Sequence, residues 1–139
     1  MQVATCKGGQ PWTCNVWYSY DDDLNLYFIS SNHRRHCEEI RNNEKISAAI
    51  VHPIYKEAGG QECRGITLEG TATELGVLSS GKALDNFMKR WPKAKKYVAK
   101  KDLIKNLTKV RFYKIKPQVI VLFDETNYPK DPRRELRLS

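Results

Sequence analysis

No run of apolar residues in this sequence approaches the roughly 20 that a membrane-spanning helix needs. The start, Met1-Gln2-Val3-Ala4-Thr5-Cys6, lacks the basic stretch and apolar core of a secretory signal and reads as the beginning of a strand. The four cysteines, Cys6, Cys14, Cys37 and Cys63, form no CxxC pair and join no His/Cys set at zinc-ligand spacing. They read as reduced thiols of a cytoplasmic protein. Nothing resembles a P-loop, a hydrolytic triad or two carboxylates poised for acid-base work. The contiguous Asp21-Asp22-Asp23 lacks the loop spacing that calcium uses and reads as a charged turn.

What is present is the composition of a soluble globular chain, 40% hydrophobic and 29% charged over 139 residues, which predicts one domain spanning 1–139. The net charge of +8 is concentrated between Lys89 and Lys109, where nine lysines and arginines face the single Asp102. With only Trp91 and Tyr97 as aromatics and no reader motif, that run reads as a solvated helical face in preference to a nucleic-acid site.

Strand signals dominate. Gln2 to Cys6 is short and partly β-branched, Gly8-Gly9 marks a turn, and Trp12 to Tyr20 alternates aromatic and polar residues. Leu24 to Ile29 resumes the alternation after the aspartate turn. From His33 the period becomes helical through Cys37, Ile40 and Arg41, with Ser31 or Asn32 as cap and Asn42-Asn43 as stop. Lys45 to His52 suits a strand buried on both faces, Ile54 to Gln61 a loop, and Cys63 to Leu75 a long strand with Gly65 and Gly70 at close approaches. Leu84, Phe87, Met88 and Trp91 mark an amphipathic helix from about Ser80 to Trp91, with the basic stretch beyond Pro92 also helical. Val110 to Lys116 and Val119 to Phe123 read as two strands separated at Pro117, and the tail from Asp124 as irregular. The order β-β-β-α-β-β-α-β-β predicts a mainly β, α+β fold. It is a small barrel of about six to seven antiparallel strands with two or three outer helices.

Three stretches in this order carry a resemblance. They are Thr5-Cys6-Lys7-Gly8-Gly9-Gln10-Pro11, then Leu26 to Asn43, in which an apolar strand runs into Ser30-Ser31-Asn32-His33-Arg34-Arg35-His36, and Arg64 to Ala72. Together they resemble the pyridoxamine-phosphate-oxidase-like flavoproteins. The resemblance implies a split β-barrel that forms a homodimer, with FMN in a cleft at the subunit interface.

It also implies the site. Ser30, Ser31, Arg35 and His36, following Ile29, would hold the flavin phosphate, a near-dianion that needs donors and positive charge. The first helical turn would add free backbone N–H groups and the positive end of its dipole. His36 stands where many members carry lysine. Asn15, Val16 and Trp17 fall on the strand that lies against the isoalloxazine ring in the family. Read without the resemblance, Trp12, Trp17 and Tyr18 serve equally well as barrel core. His33 and His52 are candidate axial ligands if the group were haem, although a lone histidine near a strand end is more often structural.

The function implied is an oxidoreductase using FMN, reduced by an external donor, on a small molecule, with no side chain required as catalyst. Alternatives are a non-enzymatic flavin or haem binding or storage protein, another flavin-type cofactor, or a basic interaction protein with a vestigial pocket. The ending Asp131-Pro132-Arg133-Arg134-Glu135-Leu136-Arg137-Leu138-Ser139 lacks the Trp- and Arg-rich substrate motif of true pyridoxamine-phosphate oxidases, so that substrate is not expected.

Overall fold

The computed structural model describes residues 1–52, 63–76, 78–96 and 109–138. The elements are β1 (Gln2–Lys7), β2 (Gln10–Asn15), β3 (Tyr18–Tyr20), β4 (Leu26–Ser31), α1 (Arg35–Asn42), β5 (Lys45–Val51), β6 (Arg64–Glu74), α2 (Ser80–Arg90), a 3₁₀ turn (Pro92–Lys96), β7 (Val110–Asp124) and β8 (Arg133–Arg137). The expected loop Ile54 to Gln61 and residues 97–108 of the basic run lie outside the described residues.

The eight strands of the described residues join one antiparallel sheet, with path β2-β1-β5-β6-β7-β4-β3 and β8 attached to β7. Chain connectivity forces this sheet to curl. β2 and β3 stand at opposite ends of the path, roughly 29 Å apart if the sheet were flat. Only Val16 and Trp17 separate them in sequence, a link that spans at most about 11 Å. The two ends must therefore meet, and the Val16 N–H donates to the Met1 carbonyl at 2.9 Å beside the seam. The fold is a small β-barrel.

It is split along β7. One edge of β7 pairs with β6 from Tyr113 to Asp124, while the other pairs with β4 through Val110–Ile115 and then with β8 through Val119–Phe123. The exchange of partners falls at Pro117, whose missing N–H has no place in a continuous ladder, and the β6 register shifts there between Glu69 and Gly70. A Cβ on Gly70 would run into the Lys116 carbonyl. Gly70→Ala is therefore expected to lower unfolding stability by about 2–3 kcal/mol in urea titrations.

Two cores result from the alternation along β4. Leu26 and Phe28 point into the barrel, where Phe28 stacks on Tyr113 at 4.9 Å and α1 contributes Cys37 and Ile40. Tyr27 points outward with Phe112, against Ala83, Leu84 and Phe87 of α2.

Several expectations are corrected. Trp12 to Tyr20 is two strands, because closure bends the chain at Val16-Trp17. Pro117 does not end one strand and begin another, because the bulge absorbs it within one 15-residue β7. The tail is not irregular throughout, because β7 offers a free edge on which β8 forms. β5 buries one face only, through Ile46 and Ala48, while Lys45 and Ser47 are exposed. Beyond Pro92 the described portion of the basic stretch is a short 3₁₀ turn.

Candidate functional site

The loop from β4 into α1 is built to leave the helix start open. The Ser31 carbonyl accepts from the Arg34 N–H at 3.0 Å, making a turn that delays the helix. Arg34 is consequently the N-cap, in extended conformation and with no side-chain cap, in place of the expected Ser31 or Asn32. The Arg34 carbonyl takes the N–H groups of Cys37 and Glu38. Among the described residues no acceptor meets those of Arg35 and His36, at the positive end of the helix dipole. The exposed Arg34 has no ion-pair partner among the described residues.

Ser30, half-buried, pairs with the buried His36, its hydroxyl 2.8 Å from His36 Nε2. Burial, and then the nearby Arg34 charge, push His36 below its ordinary value of 6.5, against a weaker upward pull from Glu39. Its folded pKa is thus depressed, so the unfolded chain binds more protons as pH falls through about 6.5, and stability falls with it. Denaturant midpoints are expected to drop between about pH 7.5 and 5.5, and His36→Gln to flatten that drop. Asp21 and Glu39, whose carboxyls are held low, lose their contribution only at more acid pH.

Arg35 is partly committed. Its Nε donates to Glu39 at 2.7 Å, and its guanidinium lies 4.4 Å from the centre of the Trp12 ring. Glu39 is buried and also accepts the Thr5 hydroxyl; these two hydrogen bonds hold its carboxyl below the usual range.

An apolar cavity of about 660 Å³ reaches β4 at Ile29 and is lined also by Trp17, Phe87, Trp91, Pro92, Lys93 and Ala94. Trp17 and Trp91 pack edge to face at 4.4 Å, and the Trp91 indole N–H donates to the Tyr18 carbonyl at 2.8 Å. The α2 wall is fixed at its other end by Lys82, which reaches the Asp21 carboxylate at 2.9 Å. Burial acts upward on Asp21, but the hydrogen bonds from Lys82, Tyr27 and Asn25 outweigh it and bring it down to about 2. The aspartate turn is thus an anchor for the cavity wall.

Six of the eight predicted residues fall into two groups. Trp17 and Ile29 meet in the cavity. Ser30, Ser31, Arg35 and His36 gather at the helix start. Asn15 is exposed at the end of β2, and the Val16 side chain belongs to the barrel core with its N–H already bonded to Met1. Trp12 and Trp17 are not core, being 42% and 62% exposed. His33 and His52 are both exposed. Sequence reasoning misses the α2 side, where periodicity places Phe87 and Trp91 only on an amphipathic face. It misses Arg90 as well, which lies over the rings of Tyr18, Tyr20 and Trp91. A tryptophan and an arginine directly before Pro92, at a helix end, are the available signal.

A curled antiparallel sheet divided along β7, with α1 packed against β1 and β6 and α2 against β3, β4 and β7, is a split β-barrel of the α+β class. The sequence profile of the family described as pyridoxamine 5'-phosphate oxidase matches residues 1–124, and the chain belongs to that family. No curated protein matches it by sequence. Among solved structures it is similar to a haem-binding protein from Mycobacterium smegmatis, with TM-score 0.75 and 18% identity over 98% of this chain and 51% of that one. It is also similar to an FAD-binding protein from Mesorhizobium loti, with TM-score 0.63 and 20% identity over 86% of this chain and 80% of that one. A NimC/NimA family protein from Clostridium acetobutylicum gives TM-score 0.68 and 14% identity over 99% and 82%. At these identities the likeness is one of fold. The chain spans about half the length of the mycobacterial protein.

Proposed function

We propose that the protein binds FMN, with the phosphate at the start of α1 and the isoalloxazine ring in the cavity of Trp17, Ile29 and Trp91. The observation that carries this reading is the pairing of an uncapped helix start with an apolar, tryptophan-lined cavity that reaches Ile29 of the strand running into that helix. An anion suits the first, through open N–H groups and Arg34. A planar apolar ring suits the second, whose volume is in the range of small-ligand sites. Bound flavin would supply hydride or electron chemistry, and the chain would bind, orient and shield it. Ser31 and the helix N–H groups hold the phosphate, with Arg35 beside them.

The activity we propose is that of an oxidoreductase taking electrons from an external donor. A homodimer with the cofactor at the subunit interface accords with Trp17, which stands largely exposed at the cavity mouth where a second copy would cover it. No helix of the described residues is long and apolar enough to cross a membrane, and the four cysteines are free, which accords with a cytoplasmic setting. The competing reading is a haem or flavin carrier without catalysis, in keeping with the haem-binding relative in fold.

Protein purified without added cofactor separates these readings by its visible spectrum. A flavin double band, bleached by NADH or NADPH without air, is expected for the oxidoreductase. A flavin band that neither donor reduces would support the carrier, and a Soret band would replace flavin by haem.

A further inference from the structure

Glu74, the last residue of β6, gathers three partners at the edge of the phosphate loop. One of its oxygens accepts from the Arg41 guanidinium and from the Tyr113 hydroxyl, each at 2.9 Å, and the other faces Arg111 Nε at 3.9 Å. Arg41 lies in the last turn of α1, and its second terminal nitrogen donates to the Asn32 carbonyl at 2.8 Å. The Asn32 N–H, in turn, donates to the Lys109 carbonyl at 2.8 Å. Both backbone polar groups of Asn32 are therefore held, one by the strand entrance and one by a side chain from the far end of the helix.

This arrangement bears on ligand binding because Asn32 sits in the turn that sets where α1 begins. The open N–H groups of Arg35 and His36 follow it by three and four residues, so their aim depends on the path of that turn. A guanidinium is a rigid planar fork, and its two bonds to Glu74 and Asn32 require one orientation. Lysine carries the same charge on a single nitrogen and cannot reproduce that fork. Arg41 is well exposed and Glu74 partly so, which places the clamp outside the packed core.

We infer that Arg41, oriented by Glu74, is a positioning residue for the phosphate end of the flavin site, fixing the turn that aims the α1 N–H groups. The inference rests on the flavin reading above. It requires that loss of the clamp weaken ligands that carry a phosphate and spare those that do not.

The test is titration of the full chain with FMN and with riboflavin, which shares the ring and lacks the phosphate. Arg41→Met is expected to raise the FMN dissociation constant ~10-fold while moving that of riboflavin less than ~2-fold. Arg41→Lys, which keeps the charge without the fork, is expected to behave like Arg41→Met and carries the same test should the methionine variant fail to fold. Glu74→Gln is expected to show the same preference with a smaller change. Parallel weakening of both ligands would mean a general structural role and would overturn the clamp. Wild-type affinity in Arg41→Lys would mean that charge alone acts, and would also overturn it. Wild-type protein that binds neither ligand would overturn the flavin reading itself, and the clamp's role with it.

Discussion

Arg35→Ala is expected to lower unfolding stability by about 2 kcal/mol and, separately, to weaken FMN binding by ~1.5–3 kcal/mol. The first effect follows from Glu39, whose buried carboxylate would keep, among the described residues, only the Thr5 hydroxyl as a side-chain hydrogen-bond partner. Removing one member of such a pair leaves a charge desolvated and uncompensated, although the half-exposed arginine lets water soften the loss. The second effect follows if the remaining guanidinium nitrogens meet the phosphate. Melting of the ligand-free protein and FMN titration well below the melting temperature measure the two independently. Glu39→Gln frees Arg35 from its ion pair and is expected to retain FMN affinity. If Arg35→Ala loses stability but keeps its affinity, Arg35 serves the fold alone and the phosphate relies on Arg34 and the helix N–H groups.

Trp91→Ala is expected to reduce affinity for FMN and riboflavin alike, by ~30-fold, the scale of a central aromatic anchor. Trp91 closes the cavity against Trp17 and is pinned by its bond to the Tyr18 carbonyl, so its removal both opens the cavity and releases the other wall. The contrast with Arg41 is diagnostic: a ring-side lesion does not discriminate between the two ligands, and a phosphate-side lesion does. Equal affinity of Trp91→Ala and wild type for both ligands would remove the ring from this cavity.

The strands of this fold are legible where alternation is local. β4, β5 and β6, and the amphipathic α2, stand within a few residues of where their patterns place them. The misreadings share one cause, which is dependence on partners distant in sequence. Trp12, Cys14, Val16, Tyr18 and Tyr20 keep one alternating phase in which only Trp17 is out of step, and closure of the barrel is what sets the break there. Arg133-Arg134-Glu135-Leu136-Arg137 has no β-branched residue, and its strand is imposed by the free edge of β7. Pro117 reads as a strand break until Gly70 across the ladder makes room for the bulge.

The site divides in the same way. The run Ser30 to His36 is legible as an anion loop because strand end, small residues, basic residues and helix start are contiguous. The cavity is not, because Phe87 and Trp91 reach Ile29 only through the packing of α2 on the outer face of β4. The Arg35–Glu39–Thr5 arrangement is equally hidden, since it joins α1 to β1 across more than thirty residues.

The central claim is that this barrel seats a flavin at the start of α1 and in the adjoining cavity. All three tryptophans flank that place, Trp12 beneath Arg35 and Trp17 and Trp91 in the cavity. Titration of FMN into the protein, followed by tryptophan fluorescence, is therefore the most direct measurement. Saturable quenching, reduced in Trp17→Phe and in Trp91→Phe by the share of the tryptophan removed, is the expected result. Fluorescence that FMN leaves unchanged, or quenching that survives both substitutions in full, would contradict it.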